Sequence, residues 1–312
     1  MDGRLQVFAG NSNPQLADKI AGWLEIPLGR RVVGTWRDGE TRVELEENVR
    51  GSDVFVIQSI CAPVNHNLVE LLLMLDAVRR ASAARVTAVV PYFGYARQEK
   101  KTRGREPIAA KLVANLLVTA GAERVLTMDL HAPAIEGFFD IPVDHLRATP
   151  ILADYFRQLR IPDLVSVSPD AGGVRRADAF RERVGGGLAI ISKKHPSPDQ
   201  TEVLEMVGNV AGCNAVVVDD MIGTAETLLK VSEMLIDRNA ESVRAVAVHG
   251  VFAGPALERV ADSPVEKVYV TDTIPLPEGC SCDKIEVLSV APLLAEAIMR
   301  IHKDLSISAL FS

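Results

Sequence analysis

The sequence is poor in cysteine, in aromatic residues and in unbroken apolar stretches. Its four cysteines, at 61, 213, 280 and 282 of 312 residues, are too few and too scattered for a disulfide framework, and reduced thiols suit the cytosol. Cys280 and Cys282 could form half of a metal site, but no second Cys/His pair with ligand spacing accompanies them. No apolar run reaches the ~18 residues a membrane span needs, which excludes an integral membrane protein. The opening Met1–Asp2–Gly3–Arg4–Leu5–Gln6–Val7 lacks the basic-then-apolar order of a signal peptide, so the expected location is cytoplasmic. Basic residues are in deficit, 34 Lys and Arg against 41 Asp and Glu for a net charge of −7. This argues against a surface that grips nucleic acid throughout and leaves room only for a local basic patch. There is no Gly-x-x-x-x-Gly-Lys-[Ser/Thr] loop, no Gly-x-Ser-x-Gly elbow and no His-Glu-x-x-His helix. Walker-type ATP binding and the commonest hydrolase chemistries are thereby removed.

What is present is globular: 48% hydrophobic and 24% charged residues, in a length that allows about two domains at roughly 150 residues each. Short β-branched runs alternate with amphipathic stretches, the pattern of parallel sheets covered by helices. Strands are predicted at Val54–Gln58, Arg85–Val90, Arg124–Met128, Leu164–Ser168, Leu188–Ile191, Ala215–Val218, Val243–Val248 and Lys267–Val270. Helices are predicted at Leu68–Ala81, Ala109–Ala120, Thr149–Gln158, Val174–Arg183, Thr227–Arg238, Pro255–Ala261 and Pro292–His302. A new strand–helix series begins after Pro142 and Pro150. The fold class is therefore α/β with two parallel-sheet domains, residues 1–147 and 148–289. The polar segment Lys193–Gln200, with Pro196 and Pro198, reads as an exposed, mobile loop.

Ligands of open α/β sheets bind beyond the carboxyl ends of the strands, and four of these ends carry chemistry. Asp219 and Asp220 precede Gly223–Thr224–Ala225–Glu226–Thr227 and a helix. Two acids can bind ribose hydroxyls, while backbone N–H groups, Thr hydroxyls and a helix N-terminus receive a phosphate; an ordinary capped loop is the plainer reading. Asp170–Ala171–Gly172–Gly173, with Arg175 and Arg176 following, would let backbone approach an anion and let Asp170 hold Mg²⁺, though the same residues also make a simple turn. His131, after Met128–Asp129–Leu130, is a lone histidine that gains weight only from company. Arg97–Gln98–Glu99–Lys100–Lys101–Thr102–Arg103–Gly104–Arg105 packs five basic residues against one acid beside Tyr92, Phe93 and Tyr95. That suits a polyphosphate and a flat base, but equally a solvated face or an RNA contact.

Taken together, Asn11–Ser12–Asn13–Pro14, Arg37–Asp38–Gly39–Glu40, Pro91–Gln98, Asp129–Pro133, Gly137–Asp140, Ser168–Gly173 and Leu293–Ile298 resemble the ribose-phosphate pyrophosphokinase family in order and spacing. The likeness runs through to Leu310–Phe311–Ser312. It implies the type I phosphoribosyltransferase fold in both domains, the helix near 290–302 returning to the first domain, and 303–312 as a tail. It implies transfer of the diphosphoryl group of ATP to the anomeric hydroxyl of ribose 5-phosphate with Mg²⁺, giving phosphoribosyl pyrophosphate and AMP for nucleotide biosynthesis. On matching residues, it implies ATP at Trp36, Asp38, Gly39, Glu40, Arg97 and Gln98, and Mg²⁺ and phosphates at His131 and Asp170 with Ala171, Gly172 and Gly173. Lys193 and His195 would be catalytic, Asp219 and Asp220 would bind the ribose, and Gly223, Thr224, Ala225, Glu226 and Thr227 would hold the 5-phosphate. Homo-oligomers, hexamers in the family, are implied as well, with no membrane or nucleic-acid partner.

Some positions depart from the family pattern. His195 stands where Arg is usual, Ala171 where His is frequent and Trp36 where Phe is common. The sugar-phosphate loop has Gly223 for Asp and Glu226 for Gly. Losing that glycine removes freedom for a positive φ. A Glu226 carboxylate aimed inward about 4 Å from a phosphate charge would cost on the order of 4 kcal/mol per charge pair; aimed outward it would favour the helix N-terminus by ~0.3–1 kcal/mol. Three readings follow: an active synthetase, a weakly active regulatory or assembly paralogue, and a phosphoribosyltransferase. Chain length and the basic segment argue against the last.

Overall fold

The computed structural model describes residues 3–194, 203–277, 279–280 and 282–310. The chain divides into two compact units. One comprises Met1–Arg147, Thr273–Pro275 and Ser289–Ser312, the other Ala148–Asp272 and Leu276–Leu288. Among the described residues no helix is long and apolar enough to cross a membrane.

The first unit opens with β1 (Leu5–Ala9) and α1 (Pro14–Leu24), a helix started by Pro14 at its first turn and by the Asn13 side chain, which accepts the Leu16 N–H at 3.2 Å. The ribbon β2 (Arg31–Thr35) and β3 (Thr41–Leu45) follows, then β4 (Asp53–Ile57), α2 (Val64–Arg80), β5 (Arg85–Val90), α3 (Ala109–Ala120), β6 (Arg124–Met128), a short 3-10 helix (Pro133–Phe138) and β7 (Val143–Leu146). The sheet order is β1-β4-β5-β6-β7, parallel throughout. Strands buried on both faces need continuous apolar runs, and Asp-Val-Phe-Val-Ile of β4 is wholly buried. Its charged first residue is matched: Arg85 donates to both Asp53 oxygens at 2.8 and 2.6 Å, and His302 Nδ1 lies 2.9 Å from Oδ2. The same guanidinium donates to the Ile301 carbonyl at 2.7 Å, tying the end of the last helix to the start of β4 and β5.

The second unit contains α4 (Thr149–Leu159), β8 (Leu164–Ser168), α5 (Val174–Val184), β9 (Gly187–Lys194), β10 (Val203–Val207), β11 (Asn214–Ile222), α6 (Glu226–Asp237), β12 (Ser242–Gly250), α7 (Ala256–Asp262), β13 (Lys267–Thr271) and β14 (Ile285–Leu288). Helix α8 (Ala291–His302) then packs on α1 of the first unit. The sheet order is β10-β9-β8-β11-β12-β13-β14, with β10 antiparallel on one edge. From β8 the chain crosses through α5 towards one edge, and from β11 through α6 towards the other. Right-handed crossovers in opposite directions put α5 and α6 on opposite faces and leave a crevice where the order reverses, between the carboxyl ends of β8 and β11.

Two expectations need correction. Lys193 and Lys194 do not begin an exposed loop: β9 continues through them, paired with Leu204 and Val203 of β10. The β-branched Ile190–Ile191 ladder extends into the lysines because an antiparallel partner is available, which composition does not reveal. Likewise the strand expected at Ala215–Val218 runs on to Ile222, so Asp219 and Asp220 lie within β11, where β12 still pairs with Asp219, Met221 and Ile222.

Candidate functional site

In the second unit the loops at the reversal point are built from backbone-directed hydrogen bonds. Beyond β8, Asp170 Oδ1 accepts the Gly173 N–H at 2.8 Å and Ser168 Oγ donates to the Asp170 carbonyl at 2.7 Å, closing Pro169–Gly173 into a turn. A Cβ on Gly173 would stand 2.9 Å from Ser168 Oγ and would displace that hydroxyl from its hydrogen bond to the Asp170 carbonyl. Asp170, Ala171 and Gly172 are exposed at its tip, and α5 opens after Gly173 with no side-chain cap.

Arg176, in the first turn of α5, reaches towards the neighbouring strand end. Its Nη1 is 3.4 Å from Asp219 Oδ1 and 3.6 Å from Asp220 Oδ1. The Asp220 side chain is 5% exposed and that of Asp219 29%. Burial, then the adjacent Asp220 charge, pushes the Asp219 carboxyl well above the usual carboxylate range, against the opposing pull of Arg176. Two acids side by side, one of them held protonated by burial and its neighbour, with a guanidinium beside both, form a site rich in hydrogen-bonding oxygens and suited to sugar hydroxyls.

The loop Gly223–Thr227 follows directly. The Ala253 N–H holds the Gly223 carbonyl at 3.0 Å, and Arg259 Nη1 holds that of Thr224 at 2.8 Å. The positive φ of this loop falls on Ala225 (φ 59), not on position 226, which corrects the concern over the missing glycine. Glu226 is instead the first residue of α6. Its carboxylate pairs with Lys230 Nζ at 2.8 Å, one turn along the exposed face, and is 56% exposed. The N-terminus of α6 has no side-chain cap. Its first-turn N–H groups and partial positive charge are the local means of holding an anion.

Lys193 comes three residues after Ile190, which pairs with Ser168 at the end of β8, so its backbone extends beyond the carboxyl end of that strand. His195 lies outside the described residues.

In the first unit, Trp36, Asp38, Gly39 and Glu40 form the tip of the β2–β3 ribbon. The Trp36 N–H donates to the Glu40 carbonyl at 2.7 Å, the Gly39 N–H to the Trp36 carbonyl at 3.0 Å, and the Glu40 N–H to Asp38 Oδ1 at 3.1 Å. Gly39 takes φ 96, a conformation side chains rarely tolerate. Trp36 is 53% exposed, with the Arg42 guanidinium 5.0 Å from its ring centroid. The ribbon is anchored by Asn11, whose Nδ2 donates to the Val33 carbonyl at 3.2 Å and to the buried Glu70 carboxylate at 3.0 Å. Arg97 and Gln98 sit exposed on the turn after β5, fastened separately by the Gln98 N–H to the Tyr95 carbonyl at 2.9 Å. His131 is exposed just past β6.

Among the described residues no group of three or more His, Cys, Asp and Glu side chains forms a metal cage. Mg²⁺ bound through one or two carboxylates plus substrate phosphates needs none, and the exposed, backbone-oriented Asp170 carboxylate fits that mode.

Two family models match the sequence: the N-terminal domain of ribose phosphate pyrophosphokinase over residues 5–121, and the phosphoribosyl synthetase-associated domain over 194–312. The ribose-phosphate pyrophosphokinase of Caldanaerobacter subterraneus subsp. tengcongensis is 55% identical over 309 residues, 99% of this chain and 98% of that one. That of Bacillus cereus is 49% identical over 312 residues, 100% and 98%. The crystal structure of the phosphoribosylpyrophosphate synthetase from Mycobacterium smegmatis superposes with a TM-score of 0.91 at 42% identity, covering 96% of this chain and 99% of that one. The chain belongs to the ribose-phosphate pyrophosphokinase family.

Within this pyrophosphokinase, sequence reasoning missed how three residues connect. Arg176 was visible only as a basic residue in a first helical turn; its reach to both acids depends on β8 and β11 being neighbours. Glu136 and His145 carried no motif signal, yet the His145 Nδ1 faces the Glu136 carboxylate and its Nε2 meets the backbone N–H of Leu130, next to His131. Burial first, then the Arg147 charge, pushes the His145 pKa down to about 4.

Proposed function

We propose that this pyrophosphokinase joins ribose 5-phosphate and ATP at the strand ends described above. The anomeric hydroxyl oxygen attacks the β-phosphorus and gives up its proton to water, the bond from that phosphorus to the α,β-bridging oxygen breaks, and AMP departs, leaving phosphoribosyl pyrophosphate. The observation that carries this reading is the Asp219–Asp220 pair towards the carboxyl end of β11, followed by a tethered loop and a helix N-terminus with no side-chain cap, where the Glu226 carboxylate pairs with Lys230.

Asp219 and Asp220 accept hydrogen bonds from the ribose hydroxyls, and Arg176 keeps their oxygens oriented. The 5-phosphate is bound by backbone N–H groups of Gly223–Thr227 and the Thr224 and Thr227 hydroxyls at the start of α6. Adenine lies on the Trp36 ring, with Asp38, Gly39, Glu40, Arg97 and Gln98 around the nucleotide. Asp170 and His131 serve the phosphate chain together with Mg²⁺, whose chemistry when bound is to neutralise charge on the phosphate oxygens. Lys193 stabilises charge developing on the transferred group, and His195 assists. Nothing here needs a covalent nucleophile, because phosphoryl-type transfer asks mainly for positioning and electrostatic stabilisation. The enzyme acts in the cytoplasm as a homo-oligomer in this reading.

The test is to incubate purified protein with ribose 5-phosphate, ATP and Mg²⁺ and follow both products. AMP should appear in step with phosphoribosyl pyrophosphate. AMP no faster than from Lys193→Ala would sink the proposal and favour a regulatory paralogue.

A further inference from the structure

The turn that presents His131 is held by the neighbouring strand. After β6 the chain enters the left-handed region at Asp129 (φ 37), where a residue other than glycine rests only under restraint. The Asp129 N–H donates to the Leu146 carbonyl of β7 at 3.0 Å, and the Leu130 N–H donates to His145 Nε2 at 2.8 Å. An imidazole nitrogen that accepts a backbone N–H carries no proton, so the ring proton is on Nδ1, facing Glu136. Glu136 comes from the 3-10 helix that follows His131, and Arg147, just past β7, donates through Nη1 to the same His145 Nε2 at 2.5 Å and places its Nη2 3.7 Å from Glu136 Oε1. The His145 side chain is only 4% exposed, so water does not readily replace it as acceptor.

We propose that His145, oriented by Glu136, is a positioning residue for catalysis: it accepts the Leu130 N–H and so fixes the direction in which His131 meets the phosphate chain, without touching substrate. The proposal rests on the reading that His131 serves the ATP phosphates. Outer partners that orient working groups are worth about 10–100-fold in activity. A buried histidine that merely satisfied a backbone donor would affect stability without acting through His131, and a double-mutant cycle separates the two.

The variants His131→Ala, His145→Leu, His145→Gln and the double variant His131→Ala/His145→Leu are assayed for kcat and for both KM values. His145→Leu should lower kcat about 10–100-fold and leave KM for ribose 5-phosphate within about two-fold, the pattern of a lost transition-state interaction. His145→Gln, whose Oε1 reaches the acceptor position, should recover most of that loss. The double variant should be no slower than His131→Ala alone. Losses that multiply, or a His145→Leu enzyme as fast as the unmodified protein, overturn the proposal. If His131→Ala turns over normally, the role of His131 fails and the proposal with it, which the single variant reveals separately. Should His145→Leu not fold, Glu136→Leu, at a half-exposed position, takes its place in the same cycle with the same expected non-additivity.

Discussion

Replacing Glu226 by Gln removes one charge from the first turn of α6 and tests where that charge acts. In the structure the carboxylate pairs with Lys230 on the exposed face. An exposed i,i+4 pair contributes ~0.3–0.5 kcal/mol, and a carboxylate in the first helical turn ~0.3–1 kcal/mol. Glu226→Gln should therefore cost about 0.5–1.5 kcal/mol of stability, read as a lower urea midpoint with an unchanged m-value. KM for ribose 5-phosphate should stay within about two-fold, since a solvated charge turned away from the loop is screened. Had the carboxylate faced the bound phosphate at 4 Å, the same substitution would relieve on the order of 4 kcal/mol, or roughly a thousand-fold in affinity. Gln is preferred to Gly because glycine would add a helix penalty of up to about 1 kcal/mol unrelated to charge. Steady-state kinetics at saturating ATP and Mg²⁺ distinguish a factor of two from three decades without ambiguity. A fall in KM of ten-fold or more would refute the outward orientation and with it the view that this loop tolerates Glu226.

Three further outcomes are expected. Arg85→Met leaves the buried Asp53 carboxylate without its two guanidinium hydrogen bonds and should cost about 3–5 kcal/mol in urea unfolding; a loss below about 1 kcal/mol would contradict the anchoring of α8 through this cluster. The raised folded-state pKa of Asp219 means that the folded protein binds a proton more tightly than the unfolded chain, so this group's contribution to stability falls as pH rises from the ordinary carboxylate range towards the raised value. Asp219→Asn should accordingly flatten that decline and stabilise the ligand-free protein by about 1 kcal/mol or more at pH 8, while weakening ribose 5-phosphate binding in calorimetry; a destabilised variant at pH 8 would reverse the sign of the argument. Trp36→Ala, removing a stacking face worth ~1–3 kcal/mol, should raise KM for ATP about 5–150-fold with little change for ribose 5-phosphate, and equal changes in both would contradict a base-binding role.

How far the fold could be read from sequence follows from how each strand is buried. β5, β6 and β8 were predicted with their observed bounds because strands covered on both faces are rich in small, apolar and β-branched residues with almost no charge. β2 and β3 were not predicted: their ribbon is half-buried and interleaves Arg31, Arg42 and Glu44 with valines, so no apolar run marks it. β7 and β14 are four residues each and carry the polar residues Asp144, His145 and Glu286, whose charged members are supported by partners such as Arg124 and Tyr155 that lie far away in sequence. The site divides in the same way. Asp170, Asp219 and Asp220 stand out in the sequence as candidates because acids near strand ends before small residues are locally unusual, whereas the contacts of Arg176 and His145 arise only when another strand is laid beside them.

By itself, then, the sequence determined the alternation of apolar strands and amphipathic helices, the chemistry gathered at strand ends and, through motif order, the family. These depend on residues close together in the chain and on burial, which leaves a periodic mark. Only the tertiary structure decided that β9 carries the backbone of Lys193 and Lys194, that Glu226 pairs with Lys230, that Ala225 takes the left-handed conformation and that His145 supports the turn before His131. Each of these depends on which strand neighbours which or on the exact start of a helix. A shift of one residue there turns a side chain from the site to solvent.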